Sequence, residues 1–324
     1  SGQNNLICSN GLSFVGGGYN NTASGNYYST IVGGESHLAS GRNAFIGGGN
    51  SNTVSGYKSV VSGGQSNTAS GACATVGGGC ANTASGYSST VGGGTSNIAN
   101  VCYGSVLGGY SNCATGGFAV VGGGYGNKAT GCESFVGGGI VNCANAPCSF
   151  IGGGNTNVTG GGVNSVNTVV VGGQLNVASC AGAFVGGGYS NTASGYDNVI
   201  AGGHTNTASG FRSTVGGGIG NTASGACSIV AGGKNNTASA AYATVSGGVA
   251  SGATATSATV GGGAQNAATA ANSTIGGGVS NTASGACSFV GGGRLNCATN
   301  SYSTVSGGYT NAATGLSSFI GGGY

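Results

Sequence analysis

The sequence predicts an all-β protein, a parallel β-solenoid (β-roll) of about 21 coils, in which each coil is one copy of a short sequence repeat. Three observations lead to this prediction. A valine or isoleucine recurs at a constant interval along nearly the whole chain, and two glycines follow it at fixed positions. Glycine accounts for 78 of the 324 residues, which is too many for stable helices. A fixed short period is typical of stacked repeats rather than of a globular fold or a flexible linker.

We number the positions of one repeat from the apolar residue that lies two places before each glycine pair, which is register 0. It is Val76, Val91 and Val106 in three successive repeats, and Val or Ile in all 21 copies. The step of fifteen seen between these valines holds throughout, except for one extra residue near Tyr27–Tyr28 and four extra residues in the segment 159–168. We therefore expect a single solenoid domain over residues 1–324, with a degenerate first coil at 1–14 and an insertion at 159–168.

Each repeat contains two short segments that are typical of β-strands. The first is Ser/Ala–x–Val at registers 13, 14 and 0, as in Ser213–Val215, and the second is Asn-Thr-Ala-Ser at registers 6 to 9, as in Asn206–Ser209. Alternation along a strand places registers 13 and 0 on one face, and registers 6 and 8 likewise on one face. Because Val or Ile would then face Ala and Ser, we expect a thin interior between two close sheets. The glycine pair would turn the chain with positive φ and allow close approach.

Register 6 is Asn in nearly every repeat, with His37 and Ser251 as exceptions. Stacked coils would place these amides about 4.8 Å apart, which suits a ladder of Asn side chains that bond up and down the stack. The alternative is that Asn only tolerates a turn conformation. Turn preference alone would also permit Asp or Gly, and neither occurs at this register, so the sequence favours the ladder. At that rise the coils would extend roughly 100 Å.

Register 14 points away from the predicted interior, yet it is apolar in many repeats. A monomer would expose a long line of apolar groups, which soluble monomers rarely do. Strand preference in itself explains the threonines at this register better than it explains the phenylalanines. We therefore predict self-association, as a parallel homotrimer or as a lateral bundle. The predicted interface residues are Phe14, Phe45, Val60, Val120, Phe135, Phe150, Phe184, Ile229, Phe289 and Phe319.

The repeat Ser-Thr-Val-Gly-Gly-Gly-x-x-Asn-Thr-Ala-Ser-Gly-x-x resembles the head repeat of YadA-type trimeric autotransporter adhesins, and it also looks like Gly-rich repeats of some phage tail fibres. The segments Ala208–Gly210 and Ser213–Gly216 carry the match. The resemblance implies a left-handed, trimeric β-roll that functions in adhesion at cell surfaces. This repeat is one residue longer than that of the adhesins, and their heptad stalk and membrane anchor have no counterpart in these 324 residues.

Composition and charge argue against several classes of function. Six basic and three acidic residues give a net charge of +3 without a basic stripe, so no nucleic-acid partner is expected. No apolar run reaches the roughly 18 residues of a membrane span. The few charged side chains form no repeated catalytic constellation, so we expect neither an enzyme nor a bound cofactor. The Gly triplets lack the helix that follows a phosphate-binding loop, and a single Asp excludes a calcium-binding β-roll.

Twelve cysteines suit an oxidising, extracellular setting. Three times a cysteine at register 11 or 12 is followed by one at register 7 of the next coil. Within one chain these registers lie roughly 13–16 Å apart, beyond the reach of a disulfide. We therefore predict interchain disulfides, with scattered free thiols as the alternative. The pairs are Cys102/Cys113, Cys132/Cys143 and Cys287/Cys297. Zinc is not expected, because no two cysteines have CxxC spacing.

The variable residues lie at the corner registers 4, 5, 11 and 12, where exposed tyrosines either stack on ligands such as sugars or cover neighbouring turns. The candidate recognition residues are Tyr57, Tyr87, Tyr110, Tyr125, Tyr189, Tyr196 and Tyr309.

Two functions follow from this sequence. The first is an extracellular recognition shaft, adhesin-like or tail-fibre-like, on a cell or virion surface and bound to a cell-surface glycan or protein. The second is a structural filament whose subunits stack end to end. The outward Thr-x-Ser rows also admit an ice-binding face, although any solvated strand of a Gly-rich solenoid would carry the same residues.

Overall fold

The computed structural model describes residues 2–162 and 164–324, and every regular element in these ranges is a β-strand. Ser1, in the predicted first coil, and Val163, in the predicted insertion, lie outside the described residues. The chain divides into two compact units, Ser1–Thr159 and Gly160–Tyr324, and each is a parallel β-solenoid. We call the sheet built from registers 14 and 0 the valine sheet, and the sheet built from registers 7 and 8 the alanine sheet.

The first unit contains both sheets and one additional short strand pair, Gly2–Gln3 with Gly18–Tyr19. The strands of its valine sheet are Phe14–Val15, Thr30–Ile31, Phe45–Ile46, Val60–Val61, Thr75–Val76, Thr90–Val91, Ser105–Val106, Val120–Val121, Phe135–Val136 and Phe150–Ile151. The strands of its alanine sheet are Leu6–Ile7, Thr22–Ala23, Leu38–Ala39, Thr53–Val54, Thr68–Ala69, Thr83–Ala84, Ile98–Ala99, Cys113–Ala114, Lys128–Ala129, Cys143–Ala144 and Val158–Thr159.

The second unit repeats the same two sheets. The strands of its valine sheet are Val169–Val170, Phe184–Val185, Val199–Ile200, Thr214–Val215, Ile229–Val230, Thr244–Val245, Thr259–Val260, Thr274–Ile275, Phe289–Val290, Thr304–Val305 and Phe319–Ile320. The strands of its alanine sheet are Val177–Ala178, Thr192–Ala193, Thr207–Ala208, Thr222–Ala223, Thr237–Ala238, Gly252–Ala253, Ala267–Ala268, Thr282–Ala283, Cys297–Ala298 and Ala312–Ala313.

Within each unit, every strand pairs in parallel with the strand one coil later, which confirms the predicted solenoid. Val76 pairs with Val91, and Ala84 pairs with Ala99. The first coil departs from the predicted step, because Leu6 pairs with Thr22, one position further along the chain than that step would give. An extra residue therefore lies between Ile7 and Phe14, in addition to the one near Tyr27–Tyr28.

The interior of each coil is as thin as predicted. Register 0 and register 8 supply side chains without solvent exposure, for example Val91 and Ala99, both 0% exposed. Ser89 at register 13 and Asn97 at register 6 are buried to the same degree. Small side chains opposite Val or Ile let the two sheets approach closely, so a short coil has room for one apolar layer only.

The Asn ladder exists, and most of its bonds run from side chain to backbone, although some amides also bond directly, as Asn142 Nδ2 does to Asn127 Oδ1 at 3.1 Å. The Asn97 side chain accepts the N–H of Asn112 through Oδ1 at 2.9 Å. Its Nδ2 donates to the carbonyl oxygens of Gly93 at 2.9 Å and Gly109 at 2.8 Å. Each amide therefore joins its own glycine corner to the corner and the strand of the next coil.

The two glycines have different roles at some corners and not at all of them, since Gly48 at register 2 has φ 156°. Gly79, at register 3, has φ 86°, and a Cβ there would collide with the carbonyl oxygen of Gly94 in the next coil. This confirms the predicted need for glycine at register 3. At register 2 the same prediction is wrong for Gly78, Gly93 and Gly108: none has a positive φ, and a Cβ would meet no atom within 4 Å.

Candidate interaction surfaces

The predicted interface residues all lie on the outward face of the valine sheet, exposed or half-exposed. The alternation of the strand causes this placement, because register 0 fills the interior and register 14 must then point outward. Phe135 and Phe150 lie one coil apart, and their rings stack with centroids 5.4 Å apart. The exposed fraction is 37% for Phe135 and 39% for Phe150. The outward face therefore carries an apolar row in each unit.

Registers 14 and 1 are both outward, and the largest side chains at one of them adjoin small residues at the other. Phe at register 14 is followed two residues later by Gly in all seven cases. A Cβ at Gly137 would lie 3.5 Å from the Phe135 ring, so the ring occupies the space over the glycine. In the opposite arrangement, Ser105 at register 14 precedes the exposed Leu107 at register 1. The pairing of sizes does not extend to every repeat, because Gly also lies two residues after Thr90, and Val169 adjoins Val171.

The six candidate disulfide residues are all free thiols. Cys102, Cys132 and Cys287 are exposed at corners, whereas Cys113, Cys143 and Cys297 are half-exposed on the alanine sheet. No pair is joined within the chain, in line with the predicted lateral separation. The interchain disulfides stay a prediction.

Two thiols on the alanine sheet, those of Cys113 and Cys143, have a pKa above that of free cysteine. Partial burial raises the pKa of Cys113 and of Cys143, and the neighbouring Lys128 ammonium only partly offsets this. At the corner, a hydrogen bond to the Glu133 carboxylate raises the pKa of Cys148. Since the thiolate is the reactive form, these three thiols react more slowly with an oxidant than unperturbed cysteines do.

Most candidate recognition tyrosines have one ring face covered by an aromatic ring one coil away. Tyr110 and Tyr125 stack with centroids 5.4 Å apart and an interplanar angle of 3°. Tyr189 stacks on His204 at 4.9 Å, and Tyr309 stacks on Tyr324 at 5.4 Å.

Two more of these tyrosines contact an aromatic ring one coil away. Tyr196 lies against Phe211 at 6.1 Å, and Tyr87 meets Tyr103 edge-on at 5.6 Å. All of these tyrosines cover part of a neighbouring turn and are also exposed, so their stacking on a ligand stays a prediction.

Tyr57 has a different environment, because cations rather than rings lie against it. The Arg42 guanidinium lies 5.9 Å from the Tyr57 centroid and 5.5 Å from that of Tyr27, and the Lys58 Nζ lies 5.1 Å from Tyr57. We call these four residues the Arg42 corner. The sequence does not show this corner directly, because its charges look scattered along the chain. The spacing of Arg42 and Lys58, one repeat plus one residue, could have indicated that they are neighbours on adjacent coils.

The Arg42 corner has no acidic partner. Among residues 2–162 and 164–324 the one ion pair joins Arg212 Nε to Asp197 Oδ2 at 3.4 Å. Arg42, Lys58 and both tyrosine rings are exposed.

The described part of the chain contains no detected pocket and no group of three or more His, Cys, Asp or Glu side chains placed to hold a metal ion. In the same ranges, no helix is long and apolar enough to cross a membrane.

Comparison of the sequence with models of known protein families gave no match. A search of curated proteins likewise gave no match.

Proposed function

We propose that the chain is a non-enzymatic, extracellular fibrous protein, an adhesin-like or tail-fibre-like shaft, whose copies pack side by side through the outward faces of their valine sheets. A solenoid of identical coils supplies a constant rise per coil, which suits an extended shaft. The Gly-rich, Cys-containing composition and the resemblance to YadA-type head repeats support the extracellular assignment.

The observation that carries the proposal is the outward face of the valine sheet. It bears stacked phenylalanines, no charged side chain at register 14, and a glycine two residues after every phenylalanine of this register. A solvated strand gains nothing from a row of exposed apolar side chains, whereas a packed interface buries them.

A second copy of the same chain is the partner that fits best. The outward row of its valine sheet has the same distance from one coil to the next. The apolar side chains of two copies can therefore stay in register along the whole contact. Three copies around a common axis would bury the row of each, which is the parallel homotrimer. The outward face of the alanine sheet points away from this interface, so the predicted disulfides of corner cysteines such as Cys132 and Cys287 would join chains through a separate lateral contact.

Sedimentation analysis of the whole chain tests the assembly. We expect a species with three times the 29.9 kDa of one chain, and bands above the monomer on non-reducing gels. The Phe135→Ser/Phe150→Ser variant should keep its β circular dichroism and dissociate at about tenfold higher protein concentration, since two apolar contacts per chain are lost.

The matched control is Ile98→Ser/Ile140→Ser, which removes two exposed apolar side chains of the same unit outside the valine face. It should assemble like the unmodified chain. A monomer at every concentration would overturn the assembly, and equal weakening by both variants would show that the valine face is not the interface.

The structural filament is the second candidate, and the ring stacking at the corners favours it. Rings such as Tyr110 and Tyr125, which cover each other, stabilise the stack and offer less surface to a ligand. A glycan screen separates the two functions: no binding by the assembled protein supports the filament, and binding that is lost on substitution of corner residues supports the recognition shaft.

A further inference from the structure

The Arg42 corner differs from every other corner of the described chain, because it combines two unpaired cations with exposed tyrosines. Arg42 and Lys58 lie on adjacent coils, and the N–H of Lys58 donates to the carbonyl oxygen of Arg42 at 2.9 Å. Both side chains approach the same ring, that of Tyr57. Only six basic residues occur in the chain, so two at one ring form a local concentration of positive charge.

The tyrosine rings position the two cations without neutralising them. A ring face attracts a cation through its quadrupole but carries no negative charge. The N–H donors of a guanidinium lie in its plane, so contact with a ring leaves them free to bond carboxylate or sulfate oxygens. Arg42 lies between Tyr27 and Tyr57, so its guanidinium is positioned but has no acidic partner.

The second unit contains the matched case in which the charge is satisfied. Arg212 also lies over a ring, that of Phe211, at 4.7 Å, and Phe211 stacks on Tyr196. There, however, Asp197 one coil earlier pairs with the guanidinium at 3.4 Å. Registers 11 and 12 therefore hold a cation with an acidic partner in the second unit. In the first unit they hold two cations without an acidic partner.

We propose that the Arg42 corner binds acidic polysaccharides, meaning linear chains of sugar rings that carry carboxylate or sulfate groups. The cations would bond the acidic groups, and the exposed edges and hydroxyls of Tyr27 and Tyr57 would contact the sugar rings. The corner is a ridge along the coil stack and no pocket, which fits a long chain better than a small molecule. This inference rests on the recognition half of the proposed function and is independent of the assembly.

The test measures binding of the full chain to immobilised polygalacturonate and dextran sulfate, with neutral dextran and a DNA duplex as comparison probes. Both acidic polysaccharides should bind. The affinity should fall about sevenfold between about 50 and 200 mM NaCl, as expected for two ionic contacts. Arg42→Gln/Lys58→Gln should lose about tenfold or more in affinity while the circular dichroism stays unchanged.

Arg212→Gln is the matched control, since it removes a cation from an aromatic corner that already has an acidic partner, and it should bind like the unmodified chain. Unchanged binding by Arg42→Gln/Lys58→Gln, or equal binding to neutral dextran, would overturn the proposal. DNA binding of equal strength, lost in the same variant, would show a general polyanion site instead and would also overturn it.

Sedimentation of the same samples separates this proposal from the assembly. A monomer that binds polygalacturonate would refute the assembly alone, and a trimer that binds neither acidic polysaccharide would refute the inference alone.

Discussion

The alanine sheet and the valine sheet line the same thin interior, yet different interactions hold them in place. The valine sheet contributes branched apolar side chains such as Val91, which fill the space between the sheets. The alanine sheet contributes small side chains such as Ala99, together with the buried amide of Asn97, which bonds three backbone groups. When a coil is too narrow for large apolar residues, buried amides that bond the backbone replace part of the apolar core.

The largest effect on stability is expected from the amide. Asn97→Ala leaves the N–H of Asn112 buried without an acceptor and removes two bonds to glycine carbonyl oxygens. We expect a loss of about 3 kcal/mol in the free energy of unfolding. Chemical denaturation measures it, and hydrogen exchange should show faster exchange at Asn112 first, because coils depend mainly on their neighbours.

Asn100→Ser is the matched control, because Asn100 is an exposed amide of the same coil at register 9. It should change stability by less than about 0.5 kcal/mol. An equal loss in the free energy of unfolding for Asn97→Ala and Asn100→Ser would show that the three backbone bonds of Asn97 do not stabilise the coil.

The apolar side of the comparison should give a smaller effect. Val91→Ala removes two buried methyl groups and leaves a small cavity in the valine sheet, at a cost of about 2 kcal/mol. Thr90→Ala, on the outward face of the same strand, should cost less than about 0.5 kcal/mol. A larger loss for Val91→Ala than for Asn97→Ala in the same denaturation series would reverse the ranking of the two sheets.

One coil replaces the amide with a titratable group. His37 takes the place of Asn, and its Nδ1 accepts the N–H of Asn52 at 3.1 Å, so the ring is neutral with its proton on Nε2. Burial lowers the pKa of His37 from its ordinary value of 6.5. The two Asn residues that flank it in the ladder, Asn21 and Asn52, are uncharged, and the nearest acidic residue along the chain, Glu35, is exposed.

Because the folded protein disfavours the charged ring, stability should be constant above about pH 6.5. It should fall below that pH, where the unfolded chain binds a proton that the folded chain does not, and level off once the pH is below the lowered pKa of the folded state. Because a single proton is bound, the free energy of unfolding can change by at most about 1.4 kcal/mol per pH unit. His37→Asn should remove this slope between pH 7 and 5 in urea denaturation, and His204→Asn, at an exposed histidine, should keep it. An unchanged slope in His37→Asn would refute the assignment.

The sequence predicted the strands and the interior because both follow from alternation and from residue size. It could not predict the partners of the Asn side chains, since the glycine carbonyl oxygen of the next coil comes within reach only when the coils are stacked, and that of the same coil only when the corner has its folded conformation. The Arg42 corner was missed for the same reason: Arg42 and Lys58 are distant in sequence and become neighbours only through the repeat. The corner conformations were missed too, because Ser, Thr and Val at registers 5 and 12 give no sign of a left-handed backbone.

Those corners supply the smallest predicted effect, and it is a stabilising one. Val141, at register 5, has φ 54°, a conformation that β-branched residues strongly disfavour and Asn tolerates. Val141→Asn should raise the free energy of unfolding by about 1 kcal/mol. Ile140→Asn, at an exposed apolar residue of the same corner without a positive φ, should not. Equal behaviour of the two variants in thermal denaturation would mean that the left-handed corners cost nothing. The stability of each coil would then be decided by the two sheets alone.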